Sequence, residues 1–180
     1  MLDQPTLTAL CDVSYGLYIV SSHDGEKLNG QLTNTVFQVT AEPPRMAAAV
    51  NKKNLTHEYI SKSGCFTISA VSQDAPMTFI GLFGFRTGRD INKFEKVKYR
   101  LCPCGAPIVL EHTVSALEIK VTQSVDIGSH TLFIGEVSCG HMLSDGKPMT
   151  YDYYHTVLKG KTPRNATTYM PPETAQGGKQ

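Results

Sequence analysis

Two β-type runs joined by a short turn decide the fold of this chain: Val114-Ser-Ala-Leu-Glu-Ile-Lys-Val-Thr-Gln-Ser-Val125, then Asp-Ile-Gly-Ser-His, then Thr131-Leu-Phe-Ile-Gly-Glu-Val-Ser-Cys139. Leu117, Ile119 and Val121 recur at every second position, which is typical of a strand with one buried face. The positions between them are mixed in character. Gly128 and Ser129 provide a turn before the second run. The stretch therefore predicts a pair of adjacent antiparallel strands.

Further strands and helices are predicted on the N-terminal side of this hairpin. The predicted strands are 15–22, 28–40, 45–50, 65–71 and 108–111, and the predicted helices are 4–10, 55–63 and 75–83. Asp24-Gly25 is typical of a hairpin turn, Asn54 is placed to cap a helix, and Gly64 is placed to end it. Many strands, few helices and the absence of Gly-x-Gly-x-x-Gly indicate a mainly β fold, an antiparallel β-barrel with added helices, rather than a Rossmann domain.

The composition limits the classes of protein to which the chain can belong. It has 180 residues, a net charge of +1, 41% hydrophobic residues and 18% charged residues, as ordinary globular proteins have. A nucleic-acid-binding protein usually has a strongly basic face. No run approaches the roughly 18 apolar residues of a membrane helix, and the N-terminus lacks a signal pattern. We expect one cytoplasmic domain that binds neither nucleic acid nor a membrane.

The cysteines form an odd and scattered set, at positions 11, 65, 102, 104 and 139. Cys102-Pro-Cys104 is the only close pair, and one intervening residue is not a standard zinc or thioredoxin spacing. We interpret the cysteines as reduced structural thiols, with a redox or metal role for Cys102 and Cys104 as the alternative. No metal site is predicted.

A positively charged strip rich in hydrogen-bond donors runs from Asn29 to Asn54. Four Lys and Arg residues but only one carboxylate, that of Glu42, lie between Lys27 and His57, counting the ends. Neutral donors can recognise a planar polar ring while cations hold a phosphate. The strip therefore predicts a site for a planar ligand that carries a phosphate.

Two groups of residues within this strip are candidate ligand contacts. Gln31, Thr33 and Thr35 share one face of a strand, beside Asn34, and suit a heterocycle; the alternative is a polar strand face that bonds to its own backbone. The segment Asn51-Lys-Lys-Asn54 lies where a strand gives way to a helix, and free backbone N–H groups at such a place favour an anion. For that segment, the alternative is a solvated basic turn.

Two further motifs could contact a ligand. The loop Phe83-Gly-Phe-Arg-Thr-Gly-Arg89 combines glycines, flat aromatic rings and arginine, but it lacks the ending of a Walker phosphate loop. His130, at a turn, can contact a substrate or cofactor, and the alternative is an ordinary surface or core histidine. We interpret Tyr151, Tyr153 and Tyr154 as packing residues, with a place at the edge of a pocket as the alternative for one of them. No catalytic triad or metal-binding acid cluster is evident, which favours a phosphate-bearing cofactor that carries the reactivity itself.

These motifs together resemble the flavin reductase-like family, whose members bind FMN in a split β-barrel of Greek-key type. The resemblance runs from about residue 10 to 154, and it depends most on Gly128-Ser-His-Thr-Leu-Phe-Ile-Gly-Glu-Val137 at its distance from the Pro43-Pro44 turn. Within the family, Phe79 to Asp90 and Tyr153 to Tyr169 are most similar to the flavin module of high-molecular-weight rubredoxins. The resemblance implies a split-barrel domain over residues 1–158 and a C-terminal arm or tail over 159–180, with a mobile end.

The resemblance also implies an activity and a set of site residues. It implies an NAD(P)H-dependent FMN oxidoreductase that passes electrons to free flavin, a rubredoxin-like protein or another acceptor. It also implies a homodimer whose FMN is either tightly bound or exchangeable. The chain has no Cys-x-x-Cys pair for iron, so we expect a separate redox partner. The implied catalytic residue is His130, and the implied FMN contacts are Gln31, Thr33, Asn34, Thr35, Val36, Asn51, Lys52, Lys53, Asn54, Thr56, Phe83, Gly84, Phe85, Arg86 and Thr87. The alternatives are an FMN electron carrier that is not an enzyme, and a barrel that binds haem, pyridoxal phosphate or no ligand.

Overall fold

The computed structural model describes residues 3–169. The elements in chain order are α1 (Gln4–Cys11), β1 (Tyr18–His23), β2 (Leu28–Thr33), β3 (Val36–Ala41), β4 (Pro44–Asn51), α2 (Leu55–Ser63), β5 (Cys65–Val71), α3 (Met77–Gly84), a 3-10 turn (Lys93–Glu95), β6 (Tyr99–Leu101), β7 (Pro107–Val109), β8 (Thr113–Asp126), β9 (His130–Met142) and α4 (Tyr151–Thr156). Within this range, no helix is long and apolar enough to cross a membrane.

Seven strands form one sheet in the order β2-β1-β5-β8-β9-β4-β3. Every neighbouring pair in this sheet is antiparallel, and β6 and β7 form a separate antiparallel pair. The long β8 and β9 are the predicted hairpin, and their register shifts at two places. The prediction of a mainly β, antiparallel fold is therefore confirmed. The predicted elements other than 28–40 appear with boundaries within three residues of those predicted.

The sheet curls until its two edge strands approach each other. β2 and β3 lie at opposite ends of the strand order, yet only Asn34 and Thr35 separate them in the chain. The three peptide steps from Thr33 to Val36 can span at most about 11 Å. One end of β2 must therefore lie within that distance of β3, as a barrel requires.

The prediction of one extended segment over 28–40 is wrong, because the chain leaves one edge of the sheet after Thr33 and joins the other edge at Val36. The break is invisible in the sequence because Thr, Asn and Thr are all compatible with a strand. In the structure, Asn34 is buried, and the backbone N–H of Ala49 on β4 donates to the carbonyl of Thr35 at 3.1 Å. This bond ties the connection to the far edge of the sheet.

Both faces of the sheet are covered by apolar side chains. Ile19 and Val20 are consecutive residues of β1 and both are fully buried, but they belong to different core clusters. The Ile19 cluster includes side chains of α3 and α4, such as those of Ile80 and Tyr154, and the Val20 cluster includes Phe133 on β9. A third, smaller cluster lies beneath the β6–β7 pair. The sheet is thus a rigid support for the loops at its edges.

Helix α2 begins and ends as predicted, with one difference. Gly64 adopts a left-handed backbone conformation with φ 69°, and its N–H donates to the carbonyl of Ile60 at 2.9 Å, which is the usual glycine end of a helix. Asn54 occupies the N-cap position, but its side chain makes no capping hydrogen bond. The N-terminal N–H groups of α2 are thus not capped by the residue expected to cap them.

One pair of cysteines is oxidised, which corrects the interpretation of all five as reduced thiols. Cys65 at the start of β5 forms a disulfide with Cys104 in the β6–β7 turn. Cys102 is free and buried, with its Sγ 3.2 Å from that of Cys104, whereas Cys11 and Cys139 are free and exposed. The bonded residues are 39 positions apart, so no local spacing could have predicted the bond.

Candidate functional site

A cavity of about 740 Å³ lies between β2, the N-terminus of α2, the end of α3 and the segment after α4. This volume is in the usual range for cofactor and ligand sites. Most of the predicted site residues line the cavity: Gln31, Thr33, Asn34, Asn51, Lys53, Asn54, Thr56, Phe83, Gly84, Phe85, Arg86, Thr87 and His130. Thr35, Val36 and Lys52 do not line it. The fold thus brings together predicted site residues that are up to 99 positions apart, as Gln31 and His130 are.

Amide side chains form one wall of the cavity. Asn54 Nδ2 donates to Gln31 Oε1 at 3.0 Å, which holds the N-terminus of α2 against β2. Asn29 Nδ2 donates to Thr56 Oγ1 at 2.9 Å, whereas Asn29 Oδ1 is buried and has no hydrogen-bond partner among the described residues. A buried polar atom without a partner is costly unless a ligand or water satisfies it. Asn29, which sequence reasoning missed, is therefore a candidate ligand contact.

The N-terminus of α2 opens into the same cavity. Asn51 Oδ1 accepts from the backbone N–H of Lys53 at 3.0 Å, which shapes the turn before the helix. Because Asn54 bonds to Gln31 rather than to the helix, α2 presents uncapped N–H groups where its dipole favours an anion. Lys53 adds a cation at this end of the cavity. The arrangement suits a phosphate.

Lys52 has a different environment from its neighbour. Its Nζ donates to Asp126 Oδ1 at 2.6 Å, at the tip of the β8–β9 hairpin, and both side chains are largely exposed. This hydrogen bond lowers the pKa of the Asp126 carboxyl. Burial lowers the pKa of His57, and the charge of Lys52 lowers it to a smaller extent, whereas the charge of Glu58 raises it. The predicted phosphate contact of Lys52 stays a prediction.

His130, the predicted catalytic residue, lines the cavity at the start of β9. Its Nδ1 lies 2.8 Å from Ser129 Oγ, and its Nε2 is buried without a hydrogen-bond partner among the described residues. The Ser129 hydroxyl can donate to Nδ1, in which case Nε2 of the neutral ring carries the proton and can donate to a ligand. His130 thus has one ring nitrogen whose hydrogen bond none of residues 3–169 supplies.

Lys93 is a buried cation that also lines the cavity, and sequence reasoning missed it. It is 3% exposed, and its Nζ donates to the carbonyl of Gly30 at 2.7 Å and lies 3.5 Å from that of Phe83. Burial lowers the pKa of Lys93 to about 8. Its position in Asp90-Ile-Asn-Lys93-Phe94 resembles an ordinary polar loop, so no signal in the sequence indicated its burial.

The segment after α4 folds back and closes one side of the cavity. Thr168 Oγ1 accepts from Asn34 Nδ2 at 3.0 Å, Thr167 contacts Asn34 and Thr35, and Asn165 Nδ2 donates to Asn54 Oδ1 at 3.2 Å. The sequence predicted an arm that wraps something, but the object that it covers was not predicted. The predicted mobile end, residues 171–180, lies outside the described residues, and the domain boundary at 158 stays a prediction.

Comparison with known proteins identifies the family. A family model described as "Flavin reductase like domain" matches residues 10–159. The chain belongs to the flavin reductase-like family. A high molecular weight rubredoxin of Moorella thermoacetica is 45% identical over 161 residues, which cover 89% of this chain and 70% of that protein. The ferric-chelate reductase (NAD(P)H) of Archaeoglobus fulgidus is 45% identical over 162 residues, 90% of this chain and 96% of that protein. The family predicted from the sequence is confirmed.

Solved structures confirm the fold class as well. The FMN-binding protein of Thermus thermophilus, crystallised with 1-cyclohex-2-enone, superimposes with a TM-score of 0.68 at 22% identity. The match covers 76% of this flavin reductase-like chain and 78% of the Thermus chain. Identity this low shows a shared fold and no more.

Proposed function

We propose that this flavin reductase-like protein is an FMN-binding oxidoreductase that passes electrons from NADH or NADPH through the flavin to an acceptor. One observation carries the proposal: the cavity in this family member brings together amide side chains, aromatic rings and the uncapped N-terminus of α2. A planar ligand that carries a phosphate matches this combination of groups.

The residues around the cavity fit the chemistry of FMN. The flavin ring is planar with polar edges, and the cavity offers amide groups of Asn29, Gln31 and Asn34 together with the aromatic surfaces of Phe83 and Phe85. The phosphate is an anion, and the uncapped N-terminus of α2 provides N–H groups for it. Both ends of the cofactor thus find matching groups in one cavity.

The protein's contribution is binding, orientation and electrostatics. When bound, FMN supplies the redox chemistry, as it accepts a hydride from a reduced nicotinamide and releases electrons to an acceptor. His130 lines the cavity, and its contact with Ser129 fixes the orientation of its ring. Lys93 holds a positive charge beside the cavity, which favours negative charge on a ligand there. The arm, residues 159–169, excludes water from one side.

We assign the phosphate to the turn Asn51–Asn54, with Lys53 as its cation. Two adjacent lysines make a matched pair of variants, because Lys53 lines the cavity whereas Lys52 is paired with Asp126. Lys53→Ala should weaken FMN binding by about 1–3 kcal/mol, the loss of a charge-assisted hydrogen bond. Lys52→Ala is the control and should change binding by less than about 0.5 kcal/mol. A titration of flavin fluorescence measures the FMN affinity of both variants. A larger loss of affinity in Lys52→Ala than in Lys53→Ala would support the sequence-based prediction for Lys52.

The alternative function is an electron carrier that receives electrons from a protein and not from a nicotinamide. We keep this alternative because the chain is 45% identical to a high molecular weight rubredoxin, and that name indicates a redox protein. Stopped-flow mixing of the FMN-loaded protein with NADH and with NADPH separates the two functions. Flavin bleaching at about 1 per second or faster, the low end of typical turnover, supports the enzyme. No bleaching, together with fast reduction by a protein partner, supports the carrier.

We propose three classes of acceptor: free flavin, a rubredoxin-like protein and a ferric chelate. The rubredoxin-like protein and the ferric chelate are suggested by the names of the two relatives at 45% identity. Reoxidation of the reduced protein by each acceptor in turn, without oxygen, measures the preference. An acceptor that reoxidises the flavin no faster than buffer alone is ruled out.

We also propose that the protein is a homodimer in the cytoplasm. The edge strand β3 exposes Phe37 and Val39, at 48% and 45%, and an exposed apolar edge strand usually needs a partner. Sedimentation at micromolar concentration should give the dimer mass for the wild type, and a smaller mass for Phe37→Ser. A monomer for the wild type would contradict the proposal. The cytoplasmic location stays a prediction.

A further inference from the structure

The β8–β9 pair carries a second cluster of chemically active side chains, away from the flavin cavity. Glu118 on β8 pairs with Cys139 on β9, and His141 follows two residues later on the same face of β9. One side-chain atom of each residue is available as a ligand, and all three atoms lie within 4.8 Å of one another. None of the three residues lines the cavity.

A β-bulge at Ser138 creates this cluster. Ile119 pairs with Val137, whereas the preceding residue Glu118 pairs with Cys139, so Ser138 is an additional residue in β9. In a regular strand, Val137 and Cys139 would point to the same face. The bulge leaves Val137 packed in the core with Ile119 and places Cys139 beside Glu118 on the opposite face. Bulges that redirect a side chain are common beside functional sites.

The carboxylate of Glu118 has a local environment that needs a cation. Glu118 is 7% exposed, and within residues 3–169 the only hydrogen-bond or ion-pair partner of its carboxylate is His141, whose Nε2 lies 2.7 Å from Oε1. A buried carboxylate is unfavourable unless a positive charge balances it. A protonated His141 is one source of that charge, and a bound metal ion is another.

We propose that Glu118, Cys139 and His141 bind a divalent cation of the zinc class, with one coordination position left open. A thiolate, an imidazole and a carboxylate are the ligand types that Zn²⁺ prefers, and three protein ligands with an open fourth position are typical of non-structural zinc sites. A thiolate and a carboxylate together neutralise the dication. The site therefore goes beyond the flavin chemistry and does not depend on it.

The three ligand atoms reach tetrahedral geometry through shifts of about 1 Å. Tetrahedral ligands at roughly 2.0–2.3 Å from zinc lie roughly 3.4–3.7 Å apart, so the Glu118–His141 pair must open by less than about 1 Å, and any pair near the 4.8 Å limit must close by about 1 Å. Binding replaces protons by the metal: the Cys139 thiol loses its proton, and His141 coordinates through Nε2 with its proton on Nδ1. No hydrogen bond to Nδ1 of His141 opposes this among the described residues. Eleven positions of β9 separate His130, which lines the cavity, from His141, which does not.

Cobalt(II) titration of the FMN-loaded protein, with the Cys139 thiol reduced, tests the proposal. The titration is carried out under nitrogen. Co²⁺ bound to a thiolate in a tetrahedral site gives visible d–d bands at longer wavelengths than flavin absorbs. We expect such bands to saturate at one Co²⁺ per chain and to disappear when Zn²⁺ is added. The bands are read whether or not the protein oxidises nicotinamides, so failure here and failure of the flavin proposal are distinguishable.

Variants identify the ligands. Cys139→Ser should abolish the thiolate bands and weaken Zn²⁺ binding at least tenfold, and it should fold normally because Cys139 is exposed. His141→Ala should weaken Zn²⁺ binding to a similar extent. Cys11→Ser is the matched control, since Cys11 is also exposed and free, and it should change nothing. Absent bands in the wild type, or bands that persist in Cys139→Ser, would overturn the proposal and leave a histidine–glutamate ion pair beside an unrelated thiol.

Discussion

The buried ammonium of Lys93 makes a measurable prediction about stability and pH. Lys93 is 3% exposed, and none of the described carboxylates forms a salt bridge with it. Two backbone carbonyls and the ring of Phe83, whose centroid is 5.8 Å from Nζ, are its only stabilising contacts among residues 3–169. Burial therefore lowers the pKa of Lys93 from 10.5 to about 8.

The sign of the effect follows from the proton balance. Between pH 8 and 10.5 the unfolded chain holds a proton on Lys93 that the folded protein has largely lost, so the free energy of unfolding rises with pH in this range. Below pH 8 both states are protonated, and the folded protein bears the full cost of the buried charge. The shift from 10.5 to about 8 corresponds to about 3 kcal/mol at 1.36 kcal/mol per pKa unit.

Urea unfolding of the wild type and Lys93→Met, without added flavin, tests this reasoning at several values from pH 7 to pH 10. Methionine keeps the length of the side chain and removes the charge. The difference in unfolding free energy, wild type minus variant, should grow in favour of the wild type by about 2–3 kcal/mol over this range. Lys96→Met changes an exposed position three residues away, and its unfolding free energy should change with pH as that of the wild type does. A pH-independent difference for Lys93→Met would refute the lowered pKa.

Three further predictions concern the cavity and the disulfide. His130→Ala should slow flavin reduction by NAD(P)H about tenfold, the value of one hydrogen bond, while FMN stays bound; loss of FMN would assign His130 a structural role. Gly160→Ala should weaken FMN binding about tenfold, because a Cβ there would overlap the ring of Tyr154 and displace the arm that closes the cavity. Unchanged FMN binding in a folded Gly160→Ala variant would show that the arm does not contribute to FMN binding. Reducing the Cys65–Cys104 disulfide, which closes a loop of about 40 residues, should lower the unfolding free energy by about 4 kcal/mol in urea; no change would mean that the sulfurs are not bonded in solution.

The parts of the fold that local patterns determine were predictable from the sequence. The β8–β9 hairpin follows from a period of two and a glycine turn, and the end of α2 follows from Gly64. Most of the candidate site was also predictable, because Gln31 to Asn54 concentrates donors and cations in one segment. These features need only residues that are close in the chain.

The features that were missed depend on contacts between residues far apart in the chain. The break at Asn34 is fixed by the opposite edge of the sheet, and the partners of Asn34 and Asn54 on the arm are more than 100 positions away. Lys93 is buried only because β2 and α3 enclose it. Cys65 and Cys104 meet only when the β6–β7 pair covers β5. No periodicity or local spacing encodes such contacts.

The central claim is that FMN occupies the cavity beside β2, and a matched pair of glutamines tests it most directly. Gln31 lines the cavity on β2, whereas Gln38 lies exposed on β3, outside the cavity. In a titration of flavin fluorescence, the wild type and Gln38→Ala should bind one FMN per chain with equal affinity. Gln31→Ala should bind FMN at least about fivefold more weakly, because a hydrogen bond is worth about 1 kcal/mol. A wild-type protein that does not bind FMN, or equal affinities for all three proteins, would contradict the account.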